Sequence, residues 1–219
     1  MRNKFTKIAM MMGLGFALTF AFGCSDNGGS NTESNGTGKL SYQGKTYKTV
    51  KIGRQIWMAE NLNYDVNGSK CYDNKPANCD KYGRLYNWVT AKNVCPDGWH
   101  LPNNADWDKL CHYVDSTNGT AETPYESQTA GKYLKSKNDW NAGGNGEDNH
   151  GFNALPGGSG NSSARFNGLG SYGSWWSASE NGDDYAYHRL MYYNYDTVNF
   201  DHDDKQILLF SVRCVQDKD

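Results

Sequence analysis

The sequence predicts an α+β domain in which two short helices pack on small twisted antiparallel sheets joined by long glycine-rich loops. Three observations predict it. Aromatic residues make up 14% of the chain and glycines number 25, so large rings are spaced by turn-forming segments. Apolar residues recur with period two in the C-terminal half, which is the signature of strands. No heptad pattern, long helix or internal repeat runs through the 219 residues.

The first segment does not belong to that fold. Arg2, Lys4 and Lys7 precede a charge-free apolar run from Ile8 to Gly23 that ends at Cys24. A charged start, an apolar centre and a small residue before the break read as a secretory signal, 1–23. The run is short for a membrane span and is followed by polar residues. Its end, "AFGC", resembles the bacterial lipobox, with Ala21 where a leucine is usual. The resemblance implies lipidation of Cys24, and several acyl chains at about 0.8 kcal/mol per buried methylene anchor stably. "SDNGGSNTESNGTG" then carries nothing able to pack a core, so 24–38 reads as a lipidated cysteine and a tether reaching about 20 Å. The expected product is secreted and lipid-anchored to the bacterial envelope, at the outer membrane, touching the membrane through that anchor alone.

The domain is expected over 39–219, the size of one folding unit. "KLSYQGKTYKTVKIGRQIWM" opens it as a β-meander, with turns at Gly44 and at Gly53-Arg54. Cys71 and Cys79 bracket a Pro/Asn/Asp loop, where a local disulfide would staple the surface. A redox pair is the alternative, but those usually stand as C-x-x-C at a helix start. Leu85, Trp88 and Val89 fall at helical spacing and predict a helix over 84–93. Trp99 to Leu101 reads as a short strand. Asn103 then caps a second helix with Asp106 at its third position, and Trp107, Leu110, Cys111 and Val114 form one apolar stripe. Cys111, inside that stripe, reads as a buried, inert thiol.

Residues 118–149 are polar and glycine-rich, with a short helix near Ala130–Lys135. "GFNALPGG" and "GSYGSWWSAS" read as buried strand fragments between turns. Tyr185, Tyr187, Tyr193 and Tyr195 alternate along a further strand. "QILLFSVRCVQ" closes the chain as one central strand, apolar on most of both faces.

A net charge of −2 provides no field for nucleic acid or anionic lipid. Six cysteines behind a signal peptide imply disulfides. With Cys24 lipidated, five remain, so at least one thiol stays free or pairs outside the chain. Their spacing lacks the paired C-x₂₋₄-C of structural zinc.

Taken together, "IGRQIWMAENLNY", "CYDNKPANCDKYGRLYNW", "VCPDGWHLPNNADWDKL", "GFNALPGG", "WWSAS" and "FSVRCV" resemble the Fibrobacter succinogenes major paralogous domain, in order, from about Tyr47 to Gln216. The family is mostly lipoproteins without an assigned role. More remotely, "WVTAKNVCPDGWHLPNNADW" is similar to the C-type lectin-like fold and its relative, the formylglycine-generating enzyme. That resemblance implies a C-type lectin-like architecture with Cys95 bridged to Cys214. Such a bridge closes about 120 residues, worth about 4–5 kcal/mol before native strain is subtracted.

Three functions are in view. The enzyme reading meets a missing part: the formylglycine-generating chemistry needs a C-terminal cysteine pair, and only Cys214 follows Cys111. Neither G-x-S-x-G nor H-E-x-x-H occurs. The binding reading rests on Trp140, Tyr172, Trp175, Trp176 and Tyr185 as rings able to stack on a glycan or protein ligand outside the cell. In "WW", one ring is expected in and one out. Asp196, Asp201, Asp203 and Asp204 offer hard oxygens suited to calcium, although D-x-D-x-D-G spacing and the lectin motifs E-P-N and W-N-D are absent. The third reading is a structural or adhesion scaffold acting through protein partners. The expectation is a non-catalytic ligand-binding domain with no cofactor other than calcium.

Overall fold

The structure, a computed structural model, describes residues 37–119 and 127–217. The signal, Cys24 and the tether up to residue 36 lie outside the described residues.

β1 (Thr37–Tyr42), β2 (Lys45–Ile52) and β3 (Gln55–Met58) form the expected meander. Gln43 and Gly44 both take positive φ in the first turn, the requirement of a two-residue hairpin. β1 begins two residues before the domain start read from composition, because Thr37 and Gly38 pair with Val50 and Thr49. β4 (Ser69–Lys70) leads to α1 (Pro76–Tyr82), a helix where the sequence suggested only a loop. Proline at its first turn is compatible with helix start, since that N–H has no helical partner anyway.

The helix expected over 84–93 is mostly not one. β5 (Leu85–Tyr86) pairs with two strands, and α2 (Trp88–Ala91) is a single turn capped by Asn87, which accepts from the Thr90 amide. Ladder hydrogen bonds from neighbours remote in sequence override the local period here. β6 (Trp99–His100) precedes α3 (Asn104–Thr117), whose N-terminus has the full reciprocal box between Asn103 and Asp106. Its stripe is buried as expected, Trp107, Leu110 and Val114 completely. α4 (Ala130–Leu134) follows, then β7 (Ser159–Asn161), β8 (Phe166–Asn167), β9 (Tyr172–Asn181), β10 (Tyr185–Tyr192), β11 (Asn199–Asp204), β12 (Leu208–Ser211) and β13 (Val215–Gln216).

These strands form two sheets. One runs β1-β2-β3-β13-β6, and the other runs β11-β10-β9-β12-β5-β4, with β7 and β8 attached through β12. Among the described strands, all pairings are antiparallel except β12 with β9. The coarse expectation of helices on curled, mainly antiparallel sheets therefore holds. The closing strand is corrected: "QILLFSVRCVQ" is two strands in different sheets, broken at residues 212–214. Residues 208–216 thus join the sheets, and Arg213 at the break is fully buried.

Both disulfides are present, Cys71–Cys79 and Cys95–Cys214, and Cys111 is free and buried. Two apolar cores flank the sheet junction. Val50, Trp57, Trp107, Phe152 and Trp175 belong to one, and Tyr47, Tyr86, Trp88, Trp176 and Phe210 to the other.

Candidate functional site

Three of the five candidate rings are structural, which corrects the sequence reading. Trp140 is 5% exposed, and Trp175 and Trp176 not at all. β9 is sandwiched, so adjacent tryptophans enter opposite cores rather than one facing solvent. Their indole N–H groups are all used internally. Trp140 donates to Ser136 Oγ and the Ala154 carbonyl, Trp175 to Asn61 Oδ1 at 2.9 Å, and Trp176 to the Tyr86 carbonyl at 2.7 Å. Tyr172 is half-buried, hydrogen-bonded to Ser159 Oγ at 2.7 Å, and burial raises its phenol above the ordinary value. Gly168 lies against its ring so closely that a Cβ there would clash.

The four aspartates are not brought together either. In β11, Asp201 and Asp203 point to one face and Asp204 to the other, as strand alternation requires. Asp204 Oδ1 accepts the Gln206 and Ile207 amides at 2.8 Å each. Asp203 Oδ2 stands 3.1 Å from His188 Nε2, and Asp201 Oδ1 accepts the His202 amide. The Asp196 carbonyl binds the Lys132 amide in the loop before the strand. Among the described residues, no group of three or more His, Cys, Asp or Glu side chains is placed to hold a metal.

Tyr185 does remain open, at 47% exposure, and it does not stand alone. The register of β10 on β11 sets Tyr185 against Asp204, Tyr187 against His202 and Arg189 against Phe200. Opposed residues share a face, so Tyr185, Tyr187, His202 and Phe200 form one row of rings. Successive rings touch edge-on or tilted: Tyr185 to His202 at 5.8 Å, His202 to Tyr187 at 6.0 Å and Tyr187 to Phe200 at 6.3 Å. Arg189, itself buried, donates to Asp108 and Asn104 of α3, and its guanidinium lies over the Phe200 ring at 5.6 Å. That contact fixes one end of the row to the helix. Phe200 is 43% exposed and His202 is also open to solvent.

Sequence reasoning missed Phe200 and His202. Their signal was the alternation in "NFDHDD", which becomes a ring pattern only once the strand is paired with β10. The arrangement suits stacking: flat apolar faces, a phenol on Tyr187 within 3.4 Å of Asn181 Oδ1, and a carboxylate at the Tyr185 end.

The free Cys111 thiol has no such openness. Burial pushes the Cys111 thiol up to about 12, so it is a poor nucleophile near neutrality.

In comparisons with known proteins, a family described as the Fibrobacter succinogenes major domain matches residues 50–216. The matched stretch runs from within β2 to the end of β13 and includes both disulfides and the ring row. No curated protein and no solved structure matches the chain.

Proposed function

The chain belongs to the Fibrobacter succinogenes major domain family, and we propose that it serves there as a non-catalytic binding domain held on the cell envelope by a lipidated Cys24. Its ligand is a glycan or protein outside the cell. The observation that carries this reading is the row formed by Tyr185, Tyr187, His202 and Phe200 on the outer hairpin of the larger sheet. Exposed rings on a rigid strand pair can stack on a sugar face or seat a protein partner at little entropic cost. The buried thiol with its raised pKa supports the absence of chemistry at that position.

We also read the architecture as C-type lectin-like. Supporting it are the clasp from Cys95 to Cys214, the order of helical turn, short strand and capped helix around "CPDGWHLP", and the chain end placed centrally in both sheets. The secretory and lipid-anchor readings rest on the residues of "AFGC" and the run before it. No helix among the described residues is long and apolar enough to cross a membrane.

The test is a glycan and peptide array probed with the purified protein and with Tyr187→Ala and Phe200→Ala, each with and without calcium. Signals on a defined glycan or peptide set that both variants lose support the reading. Retained signals in both variants would remove the ring row as the site. Flat glycan signals with binding only to other surface proteins would instead favour an adhesion scaffold.

A further inference from the structure

A second place in the fold is built to receive something. A cavity of about 840 Å³ opens between β1–β2 and the loop of residues 148–153. Small-molecule sites usually fall at about 300–1,000 Å³. Lys39, Lys48 and Thr49 line it from the strands, and Asp148, Gly151 and Asn153 from the loop.

The strand side carries an electrostatic cost. Lys39 and Lys48 are cross-strand partners, directly opposite one another. Like charges in that relationship repel and weaken the pairing. Among the described residues, neither ammonium has a carboxylate partner. Glu60 is nearby, but it accepts the backbone N–H of Lys48 at 2.6 Å rather than pairing with an ammonium. An anionic group between the two side chains would relieve the repulsion.

The loop side is rigid and rich in hydrogen-bonding groups. Asp148, Gly151 and Asn153 all hold positive φ, at 43°, 70° and 54°. Asp148 Oδ1 accepts the Asn153 amide at 2.7 Å. Arg213, buried beneath, takes the carbonyls of Phe152 and Asn153, so the loop is tied to the sheet junction. Burial raises the Asp148 carboxyl above the usual range. The lining thus sets two cations beside a carboxyl, an amide and the Thr37 hydroxyl, with Val50 and Ala59 as the apolar part. None of these lining residues is aromatic, so a nucleobase or a large ring has no plane to stack on.

We propose that this cavity binds an acidic saccharide unit, with its carboxylate or sulfate between Lys39 and Lys48 and its hydroxyls on Asp148, Asn153 and Thr37. It is separate from the ring row, so either assignment stands without the other.

The experiment is calorimetric titration of the full chain with galacturonate oligomers, a sulfated galactose disaccharide and a neutral galactose disaccharide. Thermal melts run alongside. An acidic sugar is expected to bind at least tenfold tighter than the neutral one, and the uronate and sulfate arms identify which anion is preferred. Lys39→Gln and Lys48→Gln should each weaken binding at least tenfold. Neither should lower the melting temperature of the free protein, because each removes a repulsion. Tyr187→Ala should leave this binding unchanged. Equal affinity for neutral sugar, undiminished binding in both lysine variants, or no binding by either acidic sugar overturns the proposal.

Discussion

Arg213 donates from Nε and Nη2 to the side-chain oxygen of Asn61, at 3.1 and 2.7 Å, across 152 residues of sequence. The arginine is fully buried and touches no carboxylate among the described residues, and burial brings its pKa down to about 9. Asn61 Oδ1 also accepts the Trp175 indole, while its Nδ2 donates to the Tyr82 carbonyl and to Ser211 Oγ. One amide therefore holds the sheet junction, the α1 end and a core tryptophan together.

Replacing that amide should be severe. Asn61→Ala strips the acceptor from a buried cation and from an indole, and we expect a loss of at least about 3 kcal/mol. Asn61→Asp keeps an acceptor beside the guanidinium and should lose less. Urea unfolding of both variants checks this, and equal losses would show that Arg213 does not depend on the Asn61 oxygen.

The two disulfides should differ in weight. Cys95–Cys214 spans 119 residues and Cys71–Cys79 spans 8. In the chain-entropy model these correspond to about 5 and about 2.5 kcal/mol, before native strain is subtracted. Cys95→Ala/Cys214→Ala should therefore lower the unfolding midpoint more than Cys71→Ala/Cys79→Ala. The reverse order would place the stabilisation in local helix geometry around α1 instead.

Cys111 should set part of the alkaline response. Its thiol titrates at about 12 when folded and near 9 in the ordinary state. Between these values the folded chain keeps a proton that the unfolded chain loses. Stability from this group is full below about pH 9 and is lost as pH rises toward 12, at up to about 1.4 kcal/mol per pH unit. Arg213 acts oppositely above about pH 9, so the difference between wild type and Cys111→Ala isolates the thiol. That difference should shrink with pH between 9 and 10.5, and a constant difference would exclude the thiol as its source.

What was legible in the sequence was local. The Asn103 cap with Asp106, the stripe from Trp107 to Val114 and the turn at Gly44 are written in neighbouring residues, and each appears in the fold. What was not legible depended on partners far along the chain. Trp175 and Trp176 sit on a strand buried on both faces, and nothing within "GSWWSAS" says that the second face is covered. Arg213 looked like one face of a continuous strand, because the crossing between sheets is fixed by Asn61 and the 152–153 carbonyls. The ring row had the same origin: Tyr185 and Tyr187 were visible as an alternation, but Phe200 and His202 join them only through register.

His150 should make the domain acid-sensitive. It is 9% exposed, its Nε2 has no hydrogen-bond partner among the described residues, and the Tyr113 ring stands edge-on at 6.0 Å. Burial holds its imidazole below the ordinary value. The folded state therefore rejects a proton that the unfolded chain accepts near pH 6.5. This group leaves stability unchanged well above pH 6.5. As pH falls from there toward the folded value, stability drops by up to about 1.4 kcal/mol per pH unit. His150→Phe keeps a ring against Tyr113 and removes the titration. Urea midpoints at pH 7.5, 6.5 and 5.5 should fall less in the variant than in wild type, and parallel losses would mean that the acid response comes from another group.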